Sequence, residues 1–387
     1  QENEKDLIDA VYKDLSRPGH ETLLGEIEPT KAEIVEACKE LHHWAKARKA
    51  KTDWVWALAS ATITPCPKGV ALIIGTWNFP IGLLFGPLVG AISAGCPALL
   101  KPAEQNPAVA TLIAQLVPKY LDPKSYKVIN GAIDETTELL KLKFDHIFYT
   151  GSGTVGKIVA KAAAEHLTPV TLELGGKSPA LVFDDADVKT IARRIIWGKY
   201  LNSGQSALAE FNPIEKGSDV SASLVDSKNY SSIVNKNHFD RISKLMDDTD
   251  GRVVIGGKRD ATSNKIEITV VADVKTNDAL MKVVVESKDE MVQYINDNDN
   301  PLALYVFTQK KANRDYIFNN TRSGTFVQND VVVQFTIPGL PFGGAGASGY
   351  GNYHGKASFD TFSHERSAAH VPTWMEVSVV LTSPPNG

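Results

Sequence analysis

Cysteine is nearly absent. The 387-residue chain has three, Cys38, Cys66 and Cys96, far apart in sequence. No two stand at metal-ligand or redox spacing, and an odd, small number excludes a disulfide framework. A reducing, intracellular compartment is expected. The histidines show no His-x-x-x-His spacing, which excludes a zinc site of that kind. No apolar run is long enough to span a bilayer. The longest, Phe79 to Leu100, is broken by Pro80, Pro87 and several glycines. No signal peptide is visible, because the first residues, QENEKDLIDAVYKDL, are charged and amphipathic. Basic charge does not dominate either. The net charge is −4 with both signs mixed, leaving no basic face for nucleic acid. No internal repeat or low-complexity tract appears. What remains is ordinary globular composition, 43% hydrophobic and 22% charged, in a chain long enough for two or three domains.

Hydrophobic patterning orders the first half. Residues 3–17 and 31–50 read as amphipathic helices. The run GVALIIG, Gly69–Gly75, reads as a buried strand, followed by helix 80–94 and strand 97–100. Helix 107–118, strand 126–129, helix 134–142, strand 145–149, helix 154–165 and strand 169–173 continue the alternation. Strands alternating with helices of moderate length predict a parallel sheet covered on both faces. Pro179–Phe183 and helix 187–201 follow. Beyond them, helix 232–247, strands 252–256 and 266–271, helix 287–297 and strand 302–307 suggest a second α/β unit. The tail from Gly324 to Ser363 is glycine-rich and aromatic.

Five motifs stand at the ends of these elements, and each has a plainer alternative. Gly151-Ser152-Gly153-Thr154-Val155-Gly156 follows a strand and opens a helix, where backbone N–H groups and the positive dipole end favour a phosphate; the alternative is an ordinary strand–helix turn. Trp77-Asn78-Phe79-Pro80 puts an amide at a strand end, where its NH₂ can meet a developing oxyanion, or the asparagine only closes a turn. Lys101 and Glu104, after the strand PALL, are placed to hydrogen-bond ribose hydroxyls, or form a solvated charge pair. Glu173, between Leu172 and Leu174 and ahead of Gly175-Gly176, is a candidate buried acid with the raised pKa that a general base near neutral pH needs. It can equally cap a backbone turn. Phe342, beside Gly343-Gly344, stacks on a flat ring or plugs a core.

Taken together and in this order, WNFP, KPAE, FYTGSGTVG, LELGGKSP, NSGQ and LPFGGAGASG resemble the aldehyde dehydrogenase superfamily over nearly the whole chain. NKNHFDR, PLALYVF, NDVVV and YHGKASFDTFSHERS look like its class 3 and fatty aldehyde dehydrogenase branch. The resemblance implies an α/β fold with three parts. A Rossmann-like cofactor domain would span 1–61 and 71–173, and a second α/β catalytic domain 174–345. Oligomerisation and C-terminal segments would occupy 62–70 and 346–387, with a β-hairpin near Thr62–Val70 pairing across a homodimer. It implies NAD or NADP as cofactor and a medium- or long-chain aldehyde as substrate. Residue by residue, Asn78 would donate to the oxyanion and Glu173 would activate water. Lys101 and Glu104 would hold the adenosine ribose, and Gly151, Ser152 and Gly156 would line the phosphates. Trp77 would flank the cofactor, Leu174 and Gly175 would lie against the nicotinamide, and Phe342 would contact cofactor or substrate mouth. In the family a thiolate attacks the aldehyde, hydride leaves to the nicotinamide, and water releases the acid from the thioester. This branch often carries an apolar C-terminal tail, and Trp374–Leu381 reads as its stump. Attachment to the cytoplasmic face of an organelle membrane is expected only with such a tail; otherwise the protein is cytoplasmic.

The chain departs from the family at the nucleophile. The motif Asn-x-Gly-Gln-x-Cys reads Asn202-Ser203-Gly204-Gln205-Ser206-Ala207, and alanine cannot attack. The strand that follows the cysteine in the family is missing, so Ala207 also reads as the first residue after a deletion. A second gap lies between Met281 and Lys282, where the family carries Glu-Glu-x-Phe-Gly-Pro. Three explanations stand side by side: stretches left out of the sequence as written, a pseudoenzyme that kept the cofactor fold, or an engineered or mis-spliced chain. Loss of a central strand would cost on the order of several kcal/mol in ladder bonds and core area, which favours the first.

Overall fold

The computed structural model describes residues 2–56, 58–205, 224–274, 287–337 and 339–373. Helix α1 (Glu4–Leu15) buries Val11 and Leu15. Helix α2 (Glu28–Trp44) stops short of the expected 50, and the next residues form a short strand, β1 (Arg48–Lys49). Strand β2 (Thr62–Pro67) precedes β3 (Ala71–Ile74), whose four residues are all buried. That is the pattern of a strand covered on both faces. Helix α3 (Gly82–Ala94), β4 (Ala98–Lys101), α4 (Pro107–Tyr120), β5 (Tyr126–Val128), β6 (His146–Gly151), α5 (Gly153–Ala164) and β7 (Val170–Leu174) follow the predicted alternation. Then come β8 (Ala180–Val182), α6 (Val188–Tyr200), α7 (Lys236–Asp247), β9 (Ala303–Phe307), β10 (Thr325–Gln328), β11 (Gly349–Tyr350), α8 (Lys356–Phe362) and β12 (Ser363–Ala368).

The main sheet runs β11-β7-β6-β3-β4-β5 and is parallel except for β11, which returns from the far end of the chain to pair antiparallel with β7. A second, parallel sheet runs β10-β9-β8. This is the expected α/β architecture. Two details differ from expectation. The strand read over 266–271 is two short strands, Lys265–Ile266 and Val270–Ala272, in different two-stranded sheets. The segment 62–70 is not a self-contained hairpin: β2 pairs antiparallel with β12 on one side and with β1 on the other. The local sequence of β2 carries no information about a partner some 300 residues away.

His146, at the start of β6, is buried, with Nε2 3.0 Å from Thr171 Oγ1. Burial, and then the Lys68 ammonium, push its pKa down to about 3. The unfolded chain binds this proton near pH 6.5 and the folded chain does not. The contribution is therefore whole above pH 6.5 and is lost as pH falls towards 3, by up to about 4 kcal/mol. Urea denaturation between pH 7 and 4 should show this slope in the natural protein and a flatter one in His146→Gln.

Candidate active site

A cavity of about 300 Å³ lies at the carboxyl ends of β3, β6 and β7. Open α/β sheets bind ligands at this end. Trp77 and Asn78, Gly151 and Ser152, Glu173, Leu174 and Gly175, and Phe342 all line it. Four stretches, running from Trp77 to Phe342, thus meet in one cavity. Lys101, Glu104 and Gly156 do not line this cavity.

Glu173 sits on β7 among buried residues and is 4% exposed. Neither carboxylate oxygen has a hydrogen-bond partner. Burial alone pushes its pKa well above the usual carboxylate range. With no hydrogen-bond partner, this carboxyl group caps no backbone turn.

Asn78 hangs from the turn after β3. Its Nδ2 donates to the Gln205 carbonyl at 2.8 Å, and its Oδ1 is buried without a partner. Its own carbonyl accepts from Asn202 Nδ2 at 2.9 Å and from Arg17. The NSGQ turn is thereby docked against the WNFP turn. Asn202 and Ser203 take left-handed backbone, φ 52° and 55°. Gln205 holds the turn from beyond, with Nε2 donating to the Asn202 and Ser232 carbonyls, both at 2.9 Å. Ala207, the expected nucleophile position, lies outside the described residues, as do Met281, Lys282 and Trp374–Leu381.

Ser152 caps α5, its Oγ accepting from Val155 N at 3.3 Å. Gly151 leaves room for Tyr149: a Cβ there would stand 2.3 Å from the phenol oxygen. Gly156 is used for packing: a Cβ there would stand 2.8 Å from Leu174 Cδ2. Lys101, buried at the end of β4, reaches Glu104 at 2.6 Å. Partial burial opposes ionisation of Glu104, but the Lys101 hydrogen bond and a backbone N–H outweigh it and hold the carboxyl below its ordinary range. Lys101 is buried but Glu104 is exposed, so the acidic half of the pair meets solvent. Phe342 is 5% exposed and belongs to an aromatic cluster, 5.5 Å from the Phe335 ring and 5.8 Å from the Tyr353 ring. It is at once core and cavity wall.

Sequence reasoning missed several residues. Arg17 and Glu26 form a fully buried ion pair behind the Asn78 turn. Phe335, Tyr353 and His238 also line the cavity, His238 with its ring 5.5 Å from that of Trp77. Arg17 stands in a short Ser-Arg-Pro-Gly-His loop, where a charge ordinarily signals solvent. Tyr353 and His354 lay inside a motif read only for its family likeness.

An open, mostly parallel sheet with a buried acid and an amide donor in one carboxyl-end cavity is the architecture of an α/β enzyme site. The aldehyde dehydrogenase family profile matches residues 1–211 and 216–368. Aldehyde dehydrogenase family 3 member A2 of Rattus norvegicus is 42% identical over 398 positions, covering 95% of this chain and 80% of that protein. The dimeric NADP-preferring aldehyde dehydrogenase of the same species is 41% identical over 400 positions, covering 95% of this chain and 86% of that one. A substrate-bound Staphylococcus aureus AldH structure superposes with a TM-score of 0.92 at 37% identity, over 99% of this chain and 89% of that one. The chain belongs to the aldehyde dehydrogenase family. It is shorter within the match: the Macaca fascicularis member A2 aligns over 411 positions with all 387 residues here, leaving at least 24 positions of that relative without a counterpart.

Proposed function

We propose that the site is built for NAD(P)-dependent oxidation of a medium- or long-chain fatty aldehyde to the acid. The observation that carries this reading is Glu173, buried and unpartnered on both oxygens, in one cavity with Asn78. The residues present fit a dinucleotide. A Cβ on Gly153 or Gly175 would meet nothing within 4 Å, so the first turn of α5 and the cavity wall are open to close approach. Lys101 and Glu104 would hold a ribose, Gly151 and Ser152 the phosphates, with Gly156 letting α5 pack close behind them, and Trp77, Leu174, Gly175 and Phe342 would flank the nicotinamide end. The bound nicotinamide supplies the hydride acceptor. Asn78 Nδ2 has two N–H donors, and the one not given to the Gln205 carbonyl donates to the aldehyde oxygen as it gains charge. Glu173 takes the proton from water. NADP is supported by the NADP-preferring relative, and the fatty substrate by the family 3 relatives. We further propose the division into cofactor (1–61, 71–173) and catalytic (174–345) units, and a homodimer formed through the β1-β2-β12 sheet, in keeping with the relative named as dimeric. Among the described residues no helix is long and apolar enough to cross a membrane.

One observation favours a second reading, a nucleotide-binding protein without covalent turnover. Ala207 stands where the nucleophile is expected, and no cysteine lines the cavity among the described residues. Cys38 is exposed on α2, Cys66 lies in β2, and Cys96 is buried, its Sγ 3.3 Å from the Phe362 carbonyl. The 24 or more unmatched positions accord with segments lost from the chain itself. The test pairs intact mass with turnover. The purified chain is given NAD⁺ or NADP⁺ and a series of straight-chain aldehydes. Reduced nicotinamide that is blocked by a thiol reagent, from a chain heavier than these 387 residues, supports oxidation through an added thiol segment. Dinucleotide binding without reduction, at the 387-residue mass, supports the second reading. Failure to bind either dinucleotide overturns both.

A further inference from the structure

Two cavities meet at one tyrosine. Beside the site lies a groove of about 800 Å³ walled by α2, by residues 335–337 and 339, and by residues 353–355. Gly25, Phe335 and Tyr353 belong to both walls. Tyr353 is 1% exposed, its ring edge-on to Phe148 at 5.3 Å, yet its hydroxyl has no hydrogen-bond partner. Buried unpartnered oxygens stand on either side. On the site side are both oxygens of Glu173, and on the groove side is Glu33 Oε2. The other Glu33 oxygen is 3.0 Å from His354 Nδ1. Burial, then the charges of Glu173 and of Glu33, push the Tyr353 phenol upward, so both carboxyls lie within its electrostatic reach. The ionisable groups around Tyr353 are Glu173 from β7, Glu33 with Glu36 beside it from α2, the Arg17-paired Glu26 on the groove wall, and His354 next in the chain.

A buried polar atom left unpaired carries an uncompensated desolvation cost, and small polar sites of this kind are commonly bridged by water. Four such atoms between two cavities are a costly arrangement for packing alone. They suit a path for protons. The path has a purpose, because cofactor and aldehyde together would close the front of the site over Glu173.

We propose that Tyr353 relays protons between Glu173 and the Glu33–His354 pair, with water between the hydroxyl and each carboxyl. This rests on Glu173 being the group that takes a proton from water. In one passage the Glu173 O–H bond breaks, each bridging water and the Tyr353 hydroxyl accept one proton and give up another, and an O–H bond forms on Glu33. One proton moves, no electrons are transferred, and Glu173 is left as the carboxylate. Tyr353 acts through Glu173 and is a positioning residue for it.

The test is an infrared titration of the free protein, with the Glu173 acid band assigned by Glu173→Gln. Tyr353→Phe keeps every ring contact and removes only an unpartnered oxygen. Glu33→Gln should move the Glu173 midpoint by about half a pH unit or more in the natural background, and the effect should vanish in the Tyr353→Phe background. An equal shift in both backgrounds means coupling through space and overturns the relay, as does no shift in either. A second arm uses protein saturated with NAD⁺ and decanamide, where Tyr353→Phe should slow hydrogen–deuterium exchange of the Glu173 acid about tenfold. If NAD⁺ does not bind, the functional reading fails while the titration still decides the relay.

Discussion

Replacing Arg17 by methionine should cost about 3–5 kcal/mol, the usual penalty for breaking a buried ion pair from one side. Arg17 and Glu26 are both fully buried. Their pairing holds the Asn78 turn from behind. The guanidinium donates to the Asn78 carbonyl and, through Nε at 3.2 Å, to Asn202 Oδ1, and it lies 4.9 Å over the Phe79 ring. Glu26 Oε2 accepts from the backbone N–H groups of Ile81 and Gly82, at 2.7 and 2.8 Å, at the start of α3. One pair therefore ties three pieces together: the WNFP turn, the NSGQ turn and the first turn of α3.

The penalty has a pH signature. Burial pushes the Glu26 pKa up, opposed by the Arg17 charge and the two N–H groups. Without Arg17 the folded pKa climbs further above the unfolded value. A raised carboxyl contributes its stability below the unfolded pKa and loses it as pH rises through the folded one. The Arg17→Met deficit should therefore grow between pH 5 and pH 8. Arg17→Met with Glu26→Gln should recover part of it, because no unpaired charge is left behind. Urea denaturation of the three variants at both pH values decides this. A pH-independent deficit of under about 1 kcal/mol would show that the pair adds little beyond packing.

Much of this was legible beforehand, and the division follows physical range. The alternation of β3 to β7 with its helices is written in local periodicity, so the parallel sheet was readable. Asn78 and Glu173 were readable because strand ends in such a sheet converge on one face. Pairings formed across the chain were not. Nothing in the sequence of β2 names β12 as its partner, and nothing in Gly349-Tyr350 announces an antiparallel sixth strand. Arg17 and Tyr353 escaped for a related reason. A buried charge in a loop is stabilised by partners from distant segments, here Glu26, Asn78 and Asn202, and leaves no periodic trace. The missing thiol is the reverse case: a single position was legible as wrong, while its surroundings past Gln205 lie outside the described residues.

The glycines of the 343–349 segment were read only as neighbours of Phe342, the ring that stacks on a flat ligand or plugs the core. Their geometry points to a second use, with a severe consequence at Gly349. Its backbone, φ 126° and ψ −168°, is a region essentially reserved for glycine. An added Cβ would stand 1.9 Å from the Leu172 carbonyl oxygen and 2.9 Å from its carbon. Those are backbone atoms of β7, fixed by pairing with β6. Gly349 is itself the register partner of Glu173. Gly349→Ala must therefore detach β11 or push β7, and either cost should reach about 3–5 kcal/mol, among the larger single-substitution effects. Gly175→Ala is the control. It lies two residues from Glu173 on the cavity wall, yet its Cβ would meet nothing within 4 Å. Its effect on folding should stay within about 0.5 kcal/mol, while dinucleotide binding weakens because the new methyl intrudes on open cavity. Denaturation and dinucleotide titration on the two variants should thus give opposite patterns. If both variants unfold alike, the close approach at Gly349 is not what holds β11 against the general-base strand.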